Sequence, residues 1–164
     1  MIKITLPDNS VKEFNSGVTG MEIAEAISSR LAKEVLSVTV NGEVRDLVRP
    51  ITTDSSIRLN TWDDKEGRDT FWHSSAHLMA EAIESLFPGT KFGIGPSLEN
   101  GFYYDIDLPD GKTLSDKDLA DIEKKMIELA REKSDILRSE ISKDDALKLF
   151  ANKGDQYKQE LISE

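Results

Sequence analysis

The sequence has no cysteine, only two histidines and no apolar run long enough to span a membrane. The lack of cysteine excludes a disulfide framework and a thiolate metal site within these residues. A membrane helix needs about 18 or more consecutive apolar residues, and the first ten residues lack the apolar segment of a signal peptide. We therefore expect a cytoplasmic protein with no membrane partner.

Basic residues are outnumbered, and the imbalance lies mainly in the second part of the chain. Residues 1–62 contain seven Lys and Arg against eight Asp and Glu, whereas the rest contains fourteen against twenty-three. An acidic surface repels a phosphate backbone, so the second part is not expected to bind nucleic acid tightly by itself.

Residues 1–62 show the pattern of a small sheet packed on a helix. The opening MIKITLP alternates apolar and polar residues, as a half-buried strand does. Thr19 and Glu22 form a capping-box pattern before one apolar-striped helix that is predicted to reach about residue 35. Asn41-Gly42 is a strong hairpin signal between two strands, and SIRLNTW predicts a closing strand. The order β-β-α-β-β-β predicts a ubiquitin-like β-grasp domain.

Residues 63–164 are predicted to form a second α+β domain, which gives the whole chain an α+β fold. The charged segment 63–69 is predicted to be the domain boundary, and a helix capped by Asp69 or Thr70 is expected to end at Pro88. Two strands joined by a loop are predicted in the stretch KFGIGPSLENGFYYDIDLPDG. The segments that follow predict a helix capped by Ser115, a strand at DILRSEI, a helix from Ser142 to near Gly154 and a last helix at QYKQELISE.

His73 and His77 are four residues apart and project from the flank of a helical apolar stripe. There we expect them to be half-buried. His73 is predicted to lie in or just past the first helical turn, where the helix dipole favours a neutral imidazole. A neutral imidazole can orient a water or bind a metal, but the pair can also consist of ordinary helix-surface residues. Ser74 stands where the zinc-protease motif needs its general base, and too few ligands remain for zinc, so no metal site is predicted.

Several stretches together resemble bacterial threonyl-tRNA synthetases over the whole chain. They are ITLPD, HSSAHL, FPGTKFGIGPSLENGFYYDID and FANKGDQYK, in this order. The resemblance implies that residues 1–62 are a TGS domain. It also implies that residues 63–164 are the N-terminal part of an editing domain, which hydrolyses seryl-tRNA(Thr).

The resemblance assigns site residues as well. It implies that His73 and His77 orient the hydrolytic water and the 3′-terminal adenosine, and that Lys158 supplies positive charge to the ester or sugar. Tyr104 is a candidate substrate-binding residue at the pocket wall. Without the resemblance, Lys158 reads as a solvated lysine and Tyr104 equally well as a core tyrosine. Asp105 and Asp107 could be acid–base carboxylates, although a solvated strand face explains them better.

The expected partner is the acceptor end of tRNA(Thr). The resemblance places ATP, magnesium and zinc only in a catalytic core that the family carries further along its chain, so no cofactor is expected within these residues. It implies a homodimeric full-length enzyme, with this chain alone a monomer and inactive. The alternatives are a TGS-type interaction or regulatory module with a non-catalytic binding scaffold, and a free-standing metalloprotein with bound zinc.

Overall fold

A computed structural model describes residues 1–163, which pack as two compact units. The first unit is Met1–Trp72, and the second begins at His73. The change from one unit to the next falls inside a helix, so the predicted domain boundary after residue 62 stays a prediction. None of the helices among residues 1–163 combines the length and apolar character that a membrane crossing needs.

The helices and strands follow one another in this order. The first unit contains β1 (Ile2–Thr5), β2 (Val11–Phe14), α1 (Gly20–Ile27), α2 (Ser29–Glu34), β3 (Ser37–Val40), β4 (Glu43–Arg45) and β5 (Ser55–Asn60). Helix α3 (Lys65–Leu86) begins in the first unit and ends in the second. The second unit continues with β6 (Lys91–Phe92), β7 (Ser97–Leu98), β8 (Gly101–Phe102), β9 (Ile106–Asp107), α4 (Asp116–Glu132), α5 (Lys143–Lys153) and α6 (Gln156–Ser163).

The first unit has the predicted β-grasp sheet, with strand order β2-β1-β5-β3-β4. Strands β1 and β5 are parallel, with Ile4 opposite Ser55, and the other neighbours are antiparallel. Because alternate strand residues point to one face, the apolar ones collect in a single core. That core consists of Ile2, Ile4, Val18, Ile23, Val38, Val40, Ile51 and Ile57. The predicted α+β class is confirmed.

The helical segment of the first unit is two helices and not the one that was predicted. Helix α1 begins with the predicted capping box, in which the Glu22 N–H donates to the Thr19 hydroxyl and the Thr19 N–H donates to the Glu22 carboxylate. Ser28 then adopts an extended conformation, and its hydroxyl accepts N–H bonds from Arg30 and Leu31. Serine caps a helix better than it continues one, which explains the break.

Helix α3 begins earlier than the predicted start at Asp69 or Thr70. The Thr61 N–H donates to the Asp64 carboxylate at 2.8 Å, and the Asp64 N–H donates to the Thr61 carbonyl at 3.1 Å, so the chain turns directly into the helix. Gly67 lies so close to this turn that a Cβ atom would come 1.9 Å from the Thr61 oxygen. The charged segment is therefore the first turns of a helix and not a loop.

The second unit has short strands around one apolar cluster. Strand β6 pairs with β9, and β7 pairs with β8, each over two residues, so the two longer predicted strands are wrong. The cluster consists of Ala82, Ile83, Phe92, Leu108 and Ile122, with partly buried neighbours such as Met79, Tyr104 and Met126. It holds the C-terminal half of α3 and helix α4 against β6 and β9.

The end of the second unit confirms three predicted helices and contradicts one predicted strand. Ser115 caps α4 with Asp118 in a capping box, and Ser142 caps α5, which ends at the left-handed Gly154. Residues 135–141 form no strand, because no described strand pairs with them, and their large apolar side chains are exposed.

Candidate functional site

Two imidazoles on consecutive turns of α3 are in direct contact. The Nε2 atoms of His73 and His77 lie 3.0 Å apart, and the ring centroids are 4.6 Å apart with the ring planes at 86°. At this distance one Nε2 must donate and the other must accept, so the two atoms share one proton. The ring that contains the accepting nitrogen is then a neutral imidazole. The two rings therefore cannot both be positively charged in this arrangement.

The structure corrects two expectations about this pair. Both side chains are exposed to solvent, not half-buried. His73 comes eight residues after the helix start at Lys65, more than two turns from the positive end of the dipole. The dipole effect fades within the first turn, so it does not act on either ring.

A different set of causes lowers the pKa of His77 below its ordinary value of 6.5. Partial burial of the imidazole is the largest cause, although the side chain as a whole stays exposed. The charges of His73 and Lys158 lower this pKa further. Near pH 7, His77 is therefore mainly neutral, which is the state that can accept a proton.

Lys158 reaches this neighbourhood from helix α6. The Asp155 carboxylate accepts the Lys158 backbone N–H at 3.1 Å, which caps the start of that helix. The half-buried Lys158 Nζ donates to the Gly93 carbonyl at 2.9 Å and lies 5.8 Å from the centre of the Tyr104 ring. No carboxylate of residues 1–163 forms a salt bridge with Lys158, so its positive charge is not neutralised by a partner within that range.

Tyr104 combines features of both readings that the sequence left open. Its half-buried ring packs against the apolar cluster of the second unit, with the Phe92 ring edge-on at 5.5 Å. The same ring lies beneath the Lys158 ammonium. Asp105 and Asp107 are exposed, whereas Phe102, Tyr104 and Ile106 are partly buried, which matches the solvated-face interpretation of the two carboxylates.

The second unit thus forms two contacts among the four predicted residues, and a charge effect links the two pairs. His73 touches His77, the Lys158 charge acts on His77, and Lys158 lies over Tyr104. A surface cavity of about 330 Å³ borders the group on the side of Gly93. It is lined by Gly93, Ile94, Asp105, Ile106, Asp107, Tyr157, Glu160 and Leu161, and none of the four predicted residues lines it.

A metal site requires several His, Asp or Glu side chains grouped around one point. Among the described residues, no group of three or more His, Asp or Glu side chains is placed to hold a metal ion. Zinc takes three or four protein ligands, and His73 and His77 offer two. The part of the chain that the structure describes thus offers fewer grouped ligands than zinc takes.

Two positions that contact Lys158 or Tyr104 were not predicted from the sequence, and both are glycines. The Gly93 carbonyl receives the Lys158 ammonium, and the Tyr104 ring lies directly against Gly95. The signal was the GIGP stretch itself, since closely spaced glycines in a strand region indicate close backbone approach. The GIGP stretch had contributed only to the family resemblance and not to a prediction of close contacts.

Comparisons with known proteins agree with this architecture. Residues 2–61 match the TGS domain family. The whole chain is 59% identical to a threonine–tRNA ligase of Parabacteroides distasonis, and 57% identical to those of Porphyromonas gingivalis and Bacteroides thetaiotaomicron. In each case the match covers 100% of this chain and 25% of the relative, so the chain spans a quarter of the length of these relatives.

An identity of 57–59% across every residue of the chain leaves no part of it outside the match. The β-grasp sheet of the first unit is also the fold expected where the TGS family matches. The chain is therefore similar along its whole length to the N-terminal region of bacterial threonyl-tRNA synthetases, and its residues 2–61 match the TGS domain family.

Proposed function

We propose that this chain is the proofreading region of an enzyme that ligates threonine to tRNA(Thr). In this proposal His73, His77 and Lys158 belong to a site that hydrolyses seryl-tRNA(Thr), with Tyr104 at its wall. The carrying observation is the 3.0 Å contact between the two Nε2 atoms, which keeps one imidazole of the pair neutral. The Lys158 ammonium, which has no carboxylate partner among residues 1–163, adds a positive charge that acts on His77.

The need for such a site follows from the limits of binding. Serine lacks one methyl group of threonine, and one methyl group changes binding in a pocket by only about 1–3 kcal/mol. A synthetic site that accepts threonine therefore also accepts some serine. A second site that admits the smaller ester and hydrolyses it restores accuracy.

The proposed chemistry is a water attack on the seryl ester. Each Nε2 has one lone pair, so the hydrogen bond between the two histidines opens first; the freed Nε2 then takes a proton from the water while the water oxygen bonds to the ester carbonyl carbon. The bond between that carbon and the ribose oxygen then breaks, and the ribose oxygen receives the proton as serine leaves. The pair holds one shared proton, so it can take up and return a proton without carrying two charges.

Lys158 would stabilise the negative charge that develops on the ester oxygen or hold a ribose oxygen. Its Nζ donates a hydrogen bond to a neutral carbonyl, so the ammonium charge remains available and one or two of its donors can reach a substrate. A carboxylate partner would have cancelled most of that charge.

The test is deacylation of seryl-tRNA(Thr) by the full-length enzyme with His73→Ala or His77→Ala. We expect roughly a 10²–10⁴-fold loss of deacylation, with threonine charging unchanged, because general acid–base catalysis contributes about that much. Glu81→Ala is the matched control, since Glu81 is exposed on the same helix. If both histidine variants proofread normally, the second unit is a binding scaffold attached to a TGS module.

The isolated chain has a separate expected outcome. It spans a quarter of the length of its relatives, and we expect that it does not deacylate seryl-tRNA(Thr) at a useful rate. Robust deacylation by these residues alone would show that the site is complete within them.

A further inference from the structure

Gly95 is in unusually close contact with the Tyr104 ring. A Cβ atom at position 95 would lie 2.6 Å from Cδ2, 2.7 Å from Cε2 and 2.9 Å from Cγ of that ring. Real Cβ atoms do not approach other heavy atoms so closely. The ring is therefore laid across the backbone of Gly95, which only the absence of a side chain permits.

Backbone conformation does not explain this glycine. Six glycines of the chain have a positive φ that disfavours other residues, and Gly95 is not among them. Alanine is thus compatible with the backbone at position 95, and the contact with Tyr104 is the reason that glycine is required.

The Tyr104 ring cannot easily move away from a new side chain. Phe92 is buried and packs edge-on against the ring, with the centroids 5.5 Å apart. The ring is also packed against the apolar cluster of the second unit. Since packed interiors accommodate extra volume poorly, a methyl group at position 95 would displace the ring and the groups that lie on it.

Lys158 is the group that lies on the ring. Its Nζ is 5.8 Å from the ring centre and donates to the carbonyl of Gly93, two residues before Gly95. The Tyr104 ring and the Gly93 carbonyl oxygen together thus fix the position of the Lys158 ammonium. A shift of either one moves the positive charge.

We propose that Gly95 is a positioning residue of the hydrolytic site, because its missing side chain sets the depth of the Tyr104 ring and so the place of the Lys158 ammonium. Gly95 acts through Tyr104 and touches no reacting atom. The inference rests on the proposed function for its effect on hydrolysis, whereas its effect on Lys158 is independent of that function.

The experiment measures Gly95→Ala in two ways. In the full-length enzyme we expect deacylation of seryl-tRNA(Thr) to fall roughly tenfold to a hundredfold, because small displacements of catalytic groups have effects of that order. In the 164-residue chain we expect the pKa of His77, followed by NMR, to shift from its wild-type value, because the Lys158 charge that helps to lower it is displaced. Ile94→Ala is the control, since it shortens an exposed side chain in the same loop.

A double-mutant cycle separates this role from a general loss of structure. Tyr104→Ala removes the ring that a new methyl group would strike, so Gly95→Ala should have little further effect in that background. In the Tyr104→Phe background the ring remains, and the full effect of Gly95→Ala should persist. An equal effect of Gly95→Ala in all three backgrounds would overturn the proposal.

The outcomes also separate this inference from the proposed function. If His73→Ala abolishes deacylation while Gly95→Ala changes neither deacylation nor the pKa of His77, Gly95 is not a positioning residue and the proposed function stands. If His73→Ala leaves deacylation intact, the proposed function fails. The pKa measured in Gly95→Ala then still decides whether Gly95 places the ammonium.

Discussion

The two units of this chain fix their geometry in different ways. The first has a five-stranded sheet with strands of three to six residues, closed over a single apolar core. The second has four strands of two residues each around its own cluster. Regular hydrogen bonding fixes the first unit, whereas single contacts such as Gly95 against Tyr104 place the candidate site in the second.

The difference also explains where function can reside. The core residues of the first unit are apolar and at most 9% exposed, so they offer no reactive group to a substrate. In the second unit the histidines are exposed on α3 and an ammonium without a carboxylate partner among residues 1–163 lies over a half-buried ring. Catalytic groups must stay accessible, and a less regular frame can present them.

The largest expected effect on the free energy of unfolding comes from truncating one buried isoleucine in each core, one variant at a time. Ile4→Ala removes a fully buried side chain from the first core, and we expect it to lower the free energy of unfolding by about 2–5 kcal/mol. Both tryptophans, Trp62 and Trp72, lie in the first unit, so tryptophan fluorescence during urea unfolding follows that unit.

Ile83→Ala is the matched variant in the second cluster, where Ile83 is 1% exposed. If the two units unfold independently, this variant leaves the fluorescence transition unchanged and shifts the circular dichroism signal of the second unit. A fluorescence transition that moves equally in both variants would contradict the division into two units.

A smaller effect is expected at the first turn of α1. Thr19→Ala removes a capping hydroxyl and should cost about 1 kcal/mol of unfolding free energy, measured by the same fluorescence transition. Ser16→Ala, an exposed serine outside the helix, serves as the control. An unchanged transition midpoint in Thr19→Ala would show that the capping box contributes nothing measurable.

The carboxylate of the same capping box predicts a pH dependence. Hydrogen bonds from the backbone and side chain of Thr19 lower the pKa of Glu22 below 4.5. A lowered pKa in the folded state means that stability is present above pH 4.5 and is lost as the pH falls through the folded-state pKa. Glu22→Gln should therefore destabilise the protein at pH 7 and differ less from the wild type as the pH falls below 4.5. A difference that grows in acid would contradict this assignment.

Patterns along the chain predicted the first unit well, because its signals are local and agree with one another. The alternation at Ile2 and Ile4, the Thr19–Glu22 box and the Asn41-Gly42 turn each specify one feature of the sheet or helix. The prediction of a single helix up to residue 35 was wrong. The helix propensity of the neighbouring residues favours one continuous helix, whereas Ser28 acts as an N-cap and starts a second one.

The second unit was harder to predict because long-range contacts decide it. Residues 135–141 have the composition of a strand, but no described strand pairs with them, and composition carries no information about a partner. In the first unit, the early start of α3 depends on a local turn between Thr61 and Asp64, packed against Gly67, that was not recognised in the sequence. The roles of His73, His77, Lys158 and Tyr104 stay predictions, and the contact that places Lys158 over Tyr104 was not predicted.

The central claim is that His77 is a neutral imidazole in contact with His73, under the influence of a Lys158 ammonium that has no carboxylate partner among residues 1–163, and an NMR titration of His77 tests it most directly. In the wild-type chain we expect a pKa below 6.5, and in Lys158→Met and His73→Ala we expect higher values, because each substitution removes a charge that lowers it. Lys153→Met, which removes an exposed lysine on α5, should leave the value unchanged. A pKa at or above 6.5 in the wild type that neither His73→Ala nor Lys158→Met alters would contradict the account.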